Sequence, residues 1–115
     1  MTTREMTEAA ARALGLRLNW EEVHDCHWID FNQGIASEPW TPRTDSAQCF
    51  TLAAALRISV EHNPPSDPYG WVIARIDDGQ VLSSYQENVH DESQRADAMR
   101  LAILRCAASR SPANG

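Results

Sequence analysis

Trp40-Thr41-Pro42-Arg43-Thr44-Asp45 runs directly into Ser46-Ala47-Gln48-Cys49-Phe50-Thr51-Leu52-Ala53-Ala54-Ala55-Leu56, and this junction of turn and helix sets the middle of the fold. Pro42 biases Thr41 away from helical backbone, and Asp45 is a natural N-cap. The spacing predicts a helix over Ser46–Leu56. Leu52 and Leu56 fall on one face of it, with Phe50, Ala53 and Ala55 widening that face. Trp40, braced by Pro39 and Pro42 just ahead of the helix, is expected to stand partly exposed.

Working toward the N-terminus, Thr2 or Thr3 can cap a helix from about Arg4 to Leu14, with Gly15 as its stop. Its apolar stripe is Met6, Ala9, Ala10, Ala13 and Leu14, and Arg4, Glu8 and Arg12 are spaced for i,i+4 pairing. Leu16 to Trp20 alternates with period two, as a half-buried strand does. Cys26 to Phe31 alternates again, placing His27, Ile29 and Phe31 on one face and Trp28 on the other. Glu21 to Asp25 makes the connecting turn, Asn32-Gln33-Gly34 ends the hairpin, and residues 34–44 form a loop.

Toward the C-terminus, Ile58 to His62 reads as a strand, and Asn63-Pro64-Pro65-Ser66-Asp67-Pro68 breaks regular structure. Gly70 to Ile76 is a further strand, turned back at Asp77-Asp78-Gly79 into a partner at Gln80–Tyr85. Asp91 with Gln94 three residues on has the capping-box spacing for a last helix reaching about Ser109. Met99, Ala102, Ile103 and Cys106 line it, with Ala98, Leu101 and Leu104 making the apolar face wide enough to bury on a sheet. The order α-β-β-α-β-β-β-α predicts one layered α/β (α+β) domain over residues 1–108. Its expected architecture is a largely antiparallel five-stranded sheet packed by three helices, followed by a flexible tail over 109–115.

A chain of 115 residues with 43% hydrophobic and 23% charged residues is that of one globular domain. No apolar run approaches the roughly 20 residues that span a bilayer, and the start lacks a signal-peptide core, so a cytoplasmic location is expected. The formal net charge of −6 argues against direct nucleic-acid binding, which draws its affinity from phosphate neutralisation. It suits a basic protein partner, or mimicry of a nucleic acid, instead. All ten basic residues are arginine, which removes Schiff-base and P-loop lysine chemistry. Cys26, Cys49 and Cys106 are odd in number and widely spaced, and read as free thiols.

The pattern Trp40-x-Pro42-x-x-Asp45-x-Ala47-x-x-x-x-Leu52-x-x-x-Leu56 is followed by a strand, a Pro-rich break, a hairpin and an Arg/Ala-rich helix. It resembles the phage ABA sandwich domain family of small bacteriophage proteins, in which a Trp-Asn-Pro-type turn precedes an Asp-capped helix. The resemblance runs from the first helix through Ala107. Thr41 stands where such proteins often carry Asn, and Ser46 and Gln48 occupy a stretch that is often acidic and Gly-containing. Ligand contacts in that stretch are therefore not carried over. The resemblance implies a layered α/β fold and a phage or prophage origin in a bacterial host cytoplasm, with no agreed activity.

Val23-His24-Asp25-Cys26-His27 is the one cluster with metal-ligand residue types, but zinc wants converging ligands from separated pairs, and His62 and His90 are isolated in sequence. No metal site, catalytic set or cofactor is nominated. Cys26 and His27 are strand neighbours that point apart, and Cys49 and Cys106 read as core-facing, so a thiol nucleophile with a histidine base is not expected. Trp28 and Trp71, inside strands, are expected in the core.

The candidate binding residues are Trp40, Arg43, Asp45, Arg57 and Arg75, because Trp and Arg anchor binding surfaces and can grip a nucleobase and its phosphate. Three functions fit these residues. The first is a non-enzymatic phage accessory protein that binds and blocks a host factor in an anti-defence role. The second is a small-molecule binder that sequesters a nucleotide-type immune signal, its pocket shared between subunits of a homodimer. The third is a small metal-dependent enzyme built on His24–His27.

Overall fold

A computed structural model describes residues 1–30 and 38–112. Phe31, the Asn32-Gln33-Gly34 hairpin end and residues 113–115 lie outside the described residues. The chain runs α1 (Thr3–Leu14), β1 (Leu18–Glu21), β2 (Cys26–Ile29), α2 (Ser46–Leu56), β3 (Ser59–His62), β4 (Gly70–Asp77), β5 (Leu82–Val89) and α3 (Arg95–Ala108). The α+β class and the element order follow the sequence expectation.

Local chemistry explains most boundaries. Thr2 and Glu5 form a reciprocal capping box at the start of α1, and Gly15 closes it at φ 74, where a side chain would be strained. Asp45 caps α2 by accepting from the Gln48 N–H. At the start of α3, Asp91 accepts from Ser93 N–H and Ser93 Oγ–H, nucleating a 3-10 turn over Glu92–Gln94 that feeds the α-helix. Gln94 therefore does not complete a capping box, because the helix proper begins one residue beyond it. The turn expected at Asp77-Asp78-Gly79 falls at residues 78–81, because Asp77 still pairs with Leu82 and Asp78 Oδ1 accepts from the Gln80 and Val81 N–H groups.

The single five-stranded sheet is not formed. β1 and β2 make a two-stranded antiparallel sheet, and β3-β4-β5 make a separate three-stranded one. The cause lies at the free edge of β2. Ile29 N–H donates to the Glu38 carbonyl at 2.9 Å, and Trp40 N–H donates to the His27 carbonyl at 2.8 Å. Residues 38–40 thus lie along the edge of β2 that a third strand would need, bridged to it at Trp28 and Pro39.

α3 packs on β4 and β5, while α1 and α2 pack against α3. Alternation in β4 sends Val72, Ala74 and Ile76 inward. Around them the core gathers Met6, Ala9 and Ala10 of α1, Leu52 and Cys49 of α2, and Ala102, Ile103, Leu104 and Cys106 of α3. Burying a side chain such as Leu52 or Leu104 contributes about 1.5–3 kcal/mol. Gly70 is required where β4 begins: a Cβ there would sit 2.3 Å from the Val89 carbonyl oxygen. β5 runs on to Val89 because its alternate residues Leu82, Ser84, Gln86 and Asn88 face solvent, so its polarity is that of a one-sided sheet.

Two helical-face expectations are corrected. In α2 the buried residues are Cys49 and Leu52, and Phe50 and Ala55 point away from the core. The helix has no polar face to choose for water, so its neighbours decide which side is covered. In α1, Arg4 reaches Glu8 at 3.3 Å, but Arg12 turns away to Ser111 Oγ at 2.9 Å. Arg110 bonds Asp78 and the Ile76 and Val81 carbonyls, tying the segment after α3 to the β4–β5 turn.

Candidate functional site

The turn ahead of α2 is built around Gln48. Its side-chain amide donates to the Pro39 carbonyl at 2.7 Å, and its oxygen accepts from the Thr41 N–H at 2.7 Å. Both ends of one amide thus hold the backbone on either side of Trp40. With residues 38–40 also paired on β2, the indole is drawn between the hairpin and α2. Trp40 is 5% exposed, so the expectation of a partly exposed ring is overturned. Pro42 beside it is fully buried.

The other tryptophans reverse the expectation too. Trp28 and Trp71 are half-buried and lie outside the main core. Each uses its indole N–H at the surface, Trp28 on Glu21 Oε2 at 2.9 Å and Trp71 on Asp67 Oδ2 at 3.1 Å. A polar tip that finds a carboxylate at the rim keeps an amphipathic ring there.

The remaining sequence candidates do not converge. Arg43 binds Asp97 through two parallel contacts, Nη1–Oδ1 at 2.6 Å and Nη2–Oδ2 at 3.2 Å. That fork holds the Asp97 carboxyl below the usual carboxylate range. Asp45 caps α2, Arg57 sits exposed at its C-terminal end with φ 57, and Arg75 pairs with Glu61 at 3.0 Å on the three-stranded sheet. Trp40 lines one cavity of about 550 Å³ together with Asp45, and a second together with Arg43. The second is about 310 Å³ and also lined by Arg4, Trp20, Cys26 and His27.

That cavity adjoins an interlocked group of side chains, which sequence reading left scattered. Arg4 lies over the Trp20 ring at 3.7 Å from its centroid, and Trp20 meets His27 edge to face at 4.8 Å. His27 is buried, and its Nε2 is 3.0 Å from Glu8 Oε1. The His27 hydrogen bond, aided by Arg4, lowers the Glu8 pKa. An ionised Glu8 only accepts, so Nε2 carries the proton in that contact. Trp20 Nε1 is shielded from solvent without a hydrogen-bond partner among the described residues. The legible signal was the helical spacing of Arg4 and Glu8 on one face; the missing piece was which strand residues they would meet.

Burial pushes the Cys49 thiol up to about 11, against the pull of Arg100 and Arg43, and raises Cys106 as well. Protonated thiols are poor nucleophiles. His24 is exposed and contacts Glu21 Oε2 at 2.7 Å, apart from the His27–Glu8 contact. Among the described residues no three His, Cys, Asp or Glu side chains gather in a way that could hold a metal ion. No helix among them is long and apolar enough to cross a membrane. The chain matches no protein-family model, no curated protein and no solved structure.

Proposed function

We propose that this chain is a non-enzymatic accessory protein, of the phage or prophage type that its sequence resembles, which binds a host protein and blocks it. The observation that carries this reading is the distribution of charge. Arg4, Arg43, Arg75, Arg95, Arg100, Arg105 and Arg110 are each engaged by a carboxylate of the same chain. Glu22, Asp25, Glu38, Asp77 and Asp91 remain exposed with no cationic partner among the described residues. The exterior is therefore acidic with few free cations, which favours a basic protein surface over a phosphate-bearing ligand.

The β1–β2 turn offers the clearest contact point. There Glu22 and Asp25 flank Val23, which is 86% exposed. The test is affinity capture from bacterial host lysate with the native chain and with a Glu22→Gln/Asp25→Asn variant. Asn tolerates the positive φ of Asp25, so the turn is preserved. A specific host protein held by the native chain, released by salt and lost from the variant, is the expected result. An identical capture profile for both chains defeats the assignment to this turn.

A second reading, a nucleotide-type ligand, is favoured by the stacked Arg4–Trp20 pair and the unpartnered Trp20 Nε1 beside the 310 Å³ cavity. It ranks below the first because Arg43 is already occupied by Asp97 and Asp25 also lines the cavity. A ligand at 100 times its dissociation constant adds about 2.7 kcal/mol of stability, so a flat thermal-shift panel of nucleotides removes it.

A further inference from the structure

We propose that the outer face of α2 is a homodimer surface, on which two copies pack antiparallel about a two-fold axis. α2 contains no charged residue from Ser46 to Leu56. Ala47, Phe50, Thr51, Ala54 and Ala55 are all exposed. Their spacing is i, i+3, i+4, i+7, i+8, the pattern of a helix stripe that normally faces a core. Here it faces outward, and Phe50 at its groove-side edge is 75% exposed. Single exposed apolar residues are ordinary, but a contiguous stripe marks an interaction surface.

Shape supports a second copy as the occupant. Beside Phe50 lies an apolar groove of about 320 Å³, lined by Cys49, Ala53, Ile58, Val60, Met99 and Ile103. A projecting ring next to a groove on one surface is the arrangement an isologous contact uses, since each copy offers what the other receives. Ala47, Ala54 and Ala55 let the helix axes approach to the short end of the 8–10 Å range, at about the +20° crossing of aligned helices.

Charge selects the same occupant. Asp45 stands at the N-terminal end of α2 and Arg57 at the C-terminal end. Arg57 is exposed, and its side chain makes no ion pair or hydrogen bond among the described residues; every other arginine has a partner. Asp45 gives one oxygen to the Gln48 N–H and meets no cation among the described residues. The twelve steps between them span ~18 Å along the helix, and Thr51 lies midway. An antiparallel copy centred on Thr51 sets Asp45 against Arg57 at both ends and opposes the helix dipoles. A different protein would have to bring two charges of the right sign at that spacing, whereas a second copy carries them already.

The inference is independent of the host-partner reading and is tested on the full chain by sedimentation equilibrium over a concentration series reaching ~1 mM. A reversible species of twice 12.8 kDa is expected. Phe50→Glu should remain monomeric throughout, with an unchanged circular dichroism spectrum, and Arg57→Glu should weaken association at least about tenfold, the size of one lost charge-assisted contact. Thr51→Cys, at the axis, should form a covalent dimer on mild oxidation while the native chain does not. A native chain that stays monomeric, a dimer that survives Phe50→Glu, or mass growing past the dimer overturns the proposal. If Phe50→Glu fails to fold, the absence of the Thr51→Cys crosslink does so instead.

Discussion

Two aromatic residues only ten positions apart have opposite fates: Trp40, in a proline-braced turn, is sealed at 5% exposure, and Phe50, inside a helix, stands at 75%. Local context alone would assign them the other way, because loops lie on surfaces and apolar helices bury. The difference is made by backbone polar groups. Around Trp40 the Glu38 and Pro39 carbonyls and the Trp40 and Thr41 N–H groups are bound by β2 and by Gln48, so the ring can be buried without orphaning those backbone groups. α2 satisfies its own backbone and is indifferent to which face is covered; α3 and α1 pack against it, and Cys49 and Leu52 are the residues buried. Burial follows hydrogen-bond satisfaction and available neighbours before it follows hydrophobicity.

Deleting the two rings one at a time should therefore have very different consequences. Trp40→Ala removes a buried indole and leaves a void between the hairpin and α2, which should cost about 3–5 kcal/mol. Urea unfolding would show it as a lower midpoint at unchanged slope. A loss under ~1 kcal/mol would mean that Trp40 is a surface residue energetically.

Next in size is the clamp. Gln48→Ala takes away both amide contacts and leaves the Thr41 N–H and Pro39 carbonyl to find water. A destabilisation of about 1–2 kcal/mol is expected. Trp40 emission should shift to longer wavelength in this variant, because the turn is freed to admit solvent. Unchanged emission would show that pairing on β2 holds the ring unaided.

The sequence made α2 legible to the residue, because proline, aspartate and an uninterrupted apolar run act locally. The β4–β5 turn and the inward alternation of Val72, Ala74 and Ile76 were legible for the same reason. What stayed hidden was non-local. The edge of β2 is filled by residues 38–40, ten positions away, and nothing in Cys26–Ile29 announces that. The Asp45-x-x-Gln48 spacing was visible, but a capping-box reading would send the Gln48 side chain to the Asp45 N–H. That N–H is already taken by the Thr41 carbonyl at 2.8 Å, which frees Gln48 to hold the turn. The Arg4–Trp20–His27–Glu8 cluster likewise needed the packing of α1 on the hairpin before its spacing meant anything.

That cluster supplies a pH test of the buried side of the molecule. The Glu8 pKa is lowered in the folded chain, chiefly by His27. Its contribution to stability is therefore fully present above the unfolded carboxylate value of about 4.3 and is lost as pH falls through the lower folded value. Asp97, lowered by Arg43, acts in the same direction. Glu8→Gln should leave a shallower decline of stability below about pH 4.3 than the native chain shows. An acid limb unchanged by Glu8→Gln would mean that the carboxylate gains nothing from His27.

The smallest expected effect is the one that completes the comparison. Phe50→Ser, measured at a concentration where the chain is monomeric, should change unfolding free energy by less than about 0.5 kcal/mol, as exposed positions without a partner do. The same substitution at high concentration should abolish the extra stability that dimer formation confers, since association stabilises the folded state by mass action. The native chain should thus melt higher as it is concentrated, and the variant should not. A variant destabilised by several kcal/mol when dilute would place the ring inside the monomer's own core. The outward stripe of α2 would then be a packing surface of the single chain, and Trp40 and Phe50 would no longer stand on opposite sides of any boundary.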